Sequence, residues 1–474
     1  MSDGSQSRGL ADWRISPSRL RLLALASALA TGLVIWAGLG RSDSSGLAMA
    51  LANRSRLLAA SAAAAPSRPT AAQPPASGSE PASEPTASAE AGEAGQSSSS
   101  SAPAAATSKA PESATAPPAA GTTPSTVPET SNPKAPAAPA ETKIKHVFVI
   151  TLASPGYEQT WGAASAARYL TTQLRPQGTL LSDYYAIGHR DLPNYIAMIS
   201  GQPPNAETAA DCPTFAEFAS SKLDAAGRPE GPGCVYPTSV LTVADQLTSA
   251  RRQWRAYIED LGNGPKPVQS CRHPLSNEPD ETQLARPGDG YTARHNPFVY
   301  FHSLLDLGDC ASDDLPLTQL TTDLASAART PNYAFIAPNL CHDGSEAPCV
   351  DGSPGGLQAA DAFLAEWVPK ILASPAYRRD GLLVITFSDG PATDTSGCCA
   401  AAAAPGGVTG GGRVGALLLS RYVTAGGESA SPYNHYSLLR TTEDIFGLTP
   451  LANAGQAGAQ RFSDSILKGV FAQK

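Results

Sequence analysis

Three short runs of apolar residues constrain this chain more than anything else in it: Val147-Phe148-Val149-Ile150-Thr151, residues 382–387 and residues 414–419. A strand with one wet face alternates apolar and polar side chains. A continuous apolar run instead predicts a strand buried on both faces. Residues 254–258 and 333–337 are further strand candidates. Between them lie helical patterns, the clearest over 357–372, which sets Phe363, Leu364, Trp367, Val368, Ile371 and Leu372 on one face. Buried strands alternating with amphipathic helices predict an α/β fold of three layers, with a mostly parallel sheet covered on both sides. Ligands in such folds bind beyond the carboxyl ends of the strands. Three polar loops follow apolar strands, at 152–162, 338–352 and 388–412, and the last contains a small-residue stretch, 400–412, expected to be a mobile loop at the cleft mouth. One domain spanning 143–474 accounts for these elements.

Upstream of Lys143 the composition changes. Residues 57–142 are dominated by Ala, Pro, Ser and Thr, with few aromatic or β-branched side chains. Such a segment buries too little apolar surface to offset chain entropy, so it is expected to be a disordered, semi-extended linker. Residues 22–39 form an uncharged, mostly apolar run between Arg21 and Arg41, following a tail, 1–21, that is rich in Arg. Its length and flanking charge predict a transmembrane signal-anchor with the tail in the cytoplasm. A secretion signal removed by cleavage is the alternative, and both export the domain. The formal net charge of -8 gives no basic footprint for nucleic acid.

All eight cysteines lie between Cys212 and Cys399, which suits disulfides in an oxidising compartment. Spacing is compatible with local pairs such as Cys212 with Cys234, Cys271 with Cys310, and Cys341 with Cys349, while Cys398-Cys399 is left unassigned. A zinc site is the rival reading, but paired C-x-x-C units are lacking.

The stretch Gly188-His189-Arg190-Asp191-Leu192-Pro193-Asn194-Tyr195 packs His, Arg, Asp and Asn into eight residues. Its proline predicts a turn rather than a helix interior, one able to aim side chains into a cleft. The segment G-H-x-x-L-P-N-Y, the Ser200-Gly201 after it, Arg294-His295-Asn296-Pro297, Pro338-Asn339-Leu340-Cys341-His342-Asp343 and Tyr433-Asn434-His435-Tyr436-Ser437 occur in order. With the opening strand, they make residues 145–448 resemble the bacterial phosphoesterase family of phospholipases C and acid phosphatases, within the alkaline-phosphatase-like superfamily.

The resemblance implies the same α/β/α fold, divalent metal ions and a Ser or Thr nucleophile that hydrolyses phosphate esters. Metal ions there would neutralise phosphate oxygens and stabilise the leaving oxygen. Four loops depart from the family's pattern. Ala153-Ser154 stand where Glu-Asn is usual, Asp191 where the nucleophilic hydroxyl is expected, Ser345-Glu346 for a His-Asp pair, and Ser388-Asp389 for Asp-Glu.

What remains could still form an altered site, with Asp191, Asn194 and His189 at the catalytic position, His295 and His435 toward substrate, and His342, Asp343 and Asp389 toward metal. Each has a structural reading beside it. Asp191 could be an aspartyl nucleophile or a polar loop residue paired with Arg190. His342 and Asp343 could be ligands or could order a disulfide-closed loop. His435 could cap and pack a helix, and His295 could cap a turn. His273 and His302 read as structural.

Two functions follow from these substitutions. One is an exported, membrane-tethered relative with a degenerate site that binds a ligand or partner and needs no cofactor. The other is an active hydrolase of phosphate mono- or diesters, including lipid head groups, with a rearranged divalent metal set. A cell-envelope scaffold is a third.

Overall fold

The structure, a computed structural model, describes residues 142–153, 155–225, 227–265, 268–399 and 410–471. The expected cytoplasmic tail, signal-anchor and almost all of the linker lie outside the described residues, as do Ser154 and residues 400–409 of the last loop. Among the described residues no helix is long and apolar enough to cross a membrane.

The strands are β1 (His146–Leu152), β2 (Thr179–Leu181), β3 (Tyr184–Tyr185), β4 (Trp254–Ile258), β5 (Asp314–Pro316), β6 (Tyr333–Ala337), β7 (Gly381–Phe387), β8 (Ala416–Ser420), β9 (Gly427–Ser429) and β10 (Tyr433–Asn434). Every residue of β1, β6 and β7 is buried, so neither face of these strands meets water. Eight strands form one sheet in the order β5-β4-β6-β1-β7-β8-β2-β9, and β10 pairs with β3 separately. Neighbours in the large sheet run parallel, except that β8 is antiparallel to both β7 and β2. The apolar run at 414–419 therefore makes a strand, but one whose direction its composition does not reveal.

Four helices matter for the site: α1 (Asp191–Ser200), α2 (Val243–Ser249), α3 (Gly356–Ala373) and α4 (His435–Phe446). α3 falls within one residue of the apolar periodicity at each end. α1 corrects the expectation of a turn at 188–195. The turn ends at Arg190 (φ 83°), and Pro193 is the third residue of the helix. The first-turn N–H groups of a helix have no intrahelical acceptor, so proline is tolerated there. α1 closes on Gly201 (φ 70°), where a Cβ would come within 2.6 Å of the Leu451 carbonyl oxygen. α4 opens with a capping box between Asn434 and Ser437.

The three cysteine pairs compatible with spacing are the pairs formed, and Cys398 bonds to its neighbour Cys399, so all eight cysteines are used. Because β1 lies between β6 and β7, the loops after these three strands emerge side by side. Backbone bonds join them: Ser388 N–H to Leu152 O (2.6 Å) and Ala153 N–H to Asp343 O (2.9 Å).

Candidate functional site

Where those loops meet α1, a cavity of about 460 Å³ opens, its wall including Ala153, Asp191, Asp211, Arg294, Ser345 and Asp389. Asp191 is the first residue of α1 and the hub of the site. Its Oδ2 lies 3.0 Å from Arg294 Nε and 3.1 Å from His295 Nε2, and its Oδ1 accepts from the Ser388 hydroxyl at 2.8 Å. His295 Nε2 is also 3.4 Å from Asp343 Oδ2, beneath the cavity floor. The expected pairing of Asp191 with Arg190 is thus replaced by one with Arg294. Arg190 contributes its backbone N–H, to Asp389 Oδ2 at 2.9 Å.

The electrostatics follow from crowding four carboxyl groups around one guanidinium. Burial alone would raise Asp191, but His295, Arg294 and the Ser388 hydrogen bond outweigh it and hold the carboxyl well below the usual range. The Asp191 charge then adds to burial in raising the neighbouring carboxyls. Burial, followed by the Asp191 charge, pushes Asp389 up to about 8 and Asp211 up to about 6. Asp343 rises to about 7, through burial against the opposing pull of His295 and with the Asp191 charge adding to it. Burial lowers His295, yet the Asp191 and Asp343 carboxylates raise it overall and favour the imidazolium. Ser388 Oγ is 3.1 Å from Asp389 Oδ1 as well, but its one proton is spent on the ionised Asp191. A protonated Asp389 supplies the second hydrogen in that chain.

The other expected residues serve the walls. Asn194 is fully buried, accepts from the N–H of Ile187 (2.7 Å) and Gly188 (3.3 Å), and donates to the carbonyls of Gly188 (2.6 Å) and Arg190 (2.7 Å). Its amide is spent on the turn before α1, and none of it is left for a substrate. His435 is buried and lowered to about 4 by burial, hence neutral. It accepts from Tyr184 OH at 3.0 Å and donates to the Ser388 carbonyl at 2.8 Å, which aims Ser388 from behind. His189 Nδ1 sits 3.3 Å from the Gly390 carbonyl. His342 bonds Glu259 at 2.9 Å and is not among the groups that converge with Asp343. Arg294 and Ser388 stand within motifs, but nothing in their sequence context marks either as a partner of Asp191. Asp211 follows a 3-10 turn, with nothing local to mark it, and accepts from the Leu192 N–H at 2.9 Å.

Asp191, His295 and Asp343 could each offer one ligand atom to a metal ion, the three atoms lying within 4.8 Å of one another. Asp343 Oδ2 is buried without a hydrogen-bond partner, and the far nitrogen of His295 faces the Pro338 carbonyl at 3.4 Å, as in many metal-bound imidazoles. Three donors match the count of a catalytic zinc site. The Arg294 guanidinium on the same Asp191 oxygen competes with any cation for it.

Residues 163–449, more than half of the sequence, match the phosphoesterase family. The chain belongs to that family. An acid phosphatase of Aspergillus fumigatus is 25% identical over 279 residues, covering 59% of this chain and 50% of that protein. A phosphate-repressible acid phosphatase of Penicillium chrysogenum is 25% identical over 219 residues, covering 46% of this chain and 43% of that protein. The chain thus spans about half the length of these curated relatives. Solved structures similar to this phosphoesterase-family chain include an alkaline phosphatase superfamily protein from Vibrio parahaemolyticus (14% identity, 69% and 75% coverage, TM-score 0.37) and the PsFucS1 sulfatase from Pseudoalteromonas (11%, 70% and 74%, TM-score 0.40). Likeness this loose carries no inference about chemistry.

Proposed function

We propose that this phosphoesterase-family protein does not turn over phosphate esters and that its site has become an internal ion pair. The observation that supports this is the bonding of Asp191. A carboxylate stands at the mouth of the cavity and at the N-terminus of α1, where an anionic substrate would be held. It takes the hydrogen bonds of Arg294, His295 and Ser388 that such an anion would need. A negative group at that position repels phosphate unless a strong positive charge intervenes. As a nucleophile it is also disfavoured, because both its oxygens are engaged.

The unpartnered Oδ2 of Asp343 favours a second reading, an active mono- or diester hydrolase with a rearranged metal set. A bound divalent ion would supply Lewis-acid charge neutralisation there, with Asp191, His295 and Asp343 holding it. Small phosphate esters or lipid head groups are the substrates of that reading.

For localisation we propose export to an oxidising compartment, either tethered through residues 22–39 or released by cleavage. The four disulfides support it.

The test is hydrolysis of p-nitrophenyl phosphate and bis-p-nitrophenyl phosphate by the full chain with added zinc, manganese, magnesium or calcium, together with elemental analysis. Rates at the buffer background and no stoichiometric metal are expected. Turnover that Asp191→Ala abolishes would overturn the ion-pair reading in favour of the hydrolase.

A further inference from the structure

On the face formed by α2 and the residues after α4 there is a second cavity, of about 860 Å³, unrelated to the Asp191 cluster. Its wall carries Leu241 and Leu448, the strongly exposed Leu307 (76% of its surface) and two carboxylates, Asp245 and Asp309. No Lys or Arg is among its lining residues. An apolar groove with a one-signed acidic rim calls for an apolar ligand bearing a cation.

The chain itself carries such a segment, and Thr142, the first described residue after it, lies beside the groove. Thr142 Oγ1 donates to the Ile445 carbonyl at 2.7 Å, and the groove wall begins two residues later, at Gly447. The sequence leading into Thr142 reads Pro133-Lys134-Ala135-Pro136-Ala137-Ala138-Pro139. A polyproline II helix has three residues per turn, so prolines at 133, 136 and 139 share one edge, and Lys134 falls on another. Seven residues in that form reach about 20 Å, starting three residues from Thr142.

We propose that residues 133–139 dock in this groove as a polyproline II strand, with the three prolines against Leu241, Leu307 and Leu448 and Lys134 toward Asp309. Proline-rich segments suit this role because their restricted backbone loses little freedom on binding. The groove beside Val268 and Leu275 is the competing place, but its rim mixes Arg272 and Arg286 with Glu278 and Glu281, so it lacks the one-signed acidic edge that would select Lys134. Docking holds the last part of the linker against the domain, which fixes the direction in which the domain leaves its tether.

The linker contains its own control. Lys109-Ala110 and Lys134-Ala135 are both Lys-Ala bonds open to trypsin, and only the second lies in the docking segment. Limited trypsinolysis of the full chain, followed by mass spectrometry, is expected to cut after Lys134 at least tenfold more slowly than after Lys109. Leu307→Asp, at a position exposed enough to leave folding intact, should bring the two rates within twofold, and circular dichroism checks that folding. Equal rates in the unmodified chain overturn the proposal. So does protection at Lys134 that survives Leu307→Asp. Sedimentation reads the other occupant: a concentration-dependent dimer that Leu307→Asp abolishes, with Lys134 still protected, assigns the groove to a second copy.

Discussion

Replacing Asp191 by Asn removes one charge from a buried site and leaves Arg294 and His295 without their nearest carboxylate. Breaking a buried ion pair from one side costs about 3–5 kcal/mol, because the surviving charge stays buried. Here the cost should be smaller. Asp211, Asp343 and Asp389 are held near 6, 7 and 8 in part by the Asp191 charge, and all three should ionise more readily once it is gone. Asp211 Oδ2 is already 3.9 Å from Arg294 Nε and is placed to take over. A net loss of about 2 kcal/mol is expected for Asp191→Asn, and about 1 for Asp211→Asn, whose amide oxygen still accepts from Leu192 N–H but brings no charge to Arg294. A domain of about 330 residues has an unfolding entropy near 0.7 kcal/mol/K, so about 2 kcal/mol lowers Tm by about 3 °C. With both carboxylates gone the guanidinium keeps only neutral acceptors, the Gln283 carbonyl and the Thr292 hydroxyl, and the double variant should lose about 1–2 kcal/mol more than the sum. Denaturant unfolding of the four proteins at pH 7 measures that coupling. Inorganic phosphate should then raise Tm of the double variant and leave the unmodified protein unchanged. Additivity within about 0.5 kcal/mol, or equal stabilisation of both proteins by phosphate, would refute the claim that the protein's own carboxylates occupy the anion site.

Glu443 on α4 offers a pH test away from the site. It is fully buried, Leu451 N–H bonds one oxygen at 2.8 Å, and burial pushes it up to about 9 from an ordinary 4.5. The folded state therefore keeps a proton that the unfolded chain releases. The stabilising contribution is complete below pH 4.5 and is lost as pH rises toward 9, about 3 kcal/mol of it by pH 7. Glu443→Gln should flatten this slope in unfolding curves between pH 5 and 8, and an unchanged slope would refute the assignment. Asn194→Ala takes the side-chain partner from the buried N–H groups of Ile187 and Gly188 and from the Gly188 carbonyl, while the Arg190 carbonyl keeps its intrahelical bond, and about 2–4 kcal/mol of stability should go with it, as read by urea unfolding. Removing Cys271–Cys310, with 39 residues of separation, should cost about 4 kcal/mol, against about 2.5 for Cys341–Cys349, with 8, on loop-closure entropy. Cys→Ala double variants compared by chemical denaturation check that ordering.

Much of the fold was legible because burial on both faces leaves a mark that needs no neighbour to interpret. The run at 147–151 has no polar alternation, and β1 is accordingly buried along its whole length. The periodic face of α3 and the three spaced cysteine pairs are local signals of the same sort. Sheet order and the reversed direction of β8 carry no such mark, since an apolar strand reads alike whichever way its neighbours run. The turn expected over 188–195 stops at Arg190, and a helix begins at Asp191. A proline in the first helical turn and a proline in a loop look the same until the hydrogen-bond acceptors are known.

The site divides along the same line. By itself the sequence determined that a carboxylate, Asp191, stands where the family resemblance expects a hydroxyl, and that His295 and Asp343 keep their motif positions while Asp389 stands one place from the expected Asp. Only the tertiary structure decided that Arg294 and Ser388 hold that carboxylate, that Asp211 joins it from a loop with no motif, and that Asn194 and His435 support the walls. A residue's chemical type is written in the chain. Its charge state and partners depend on groups about 20 to 200 positions away, which folding alone brings within 3 Å.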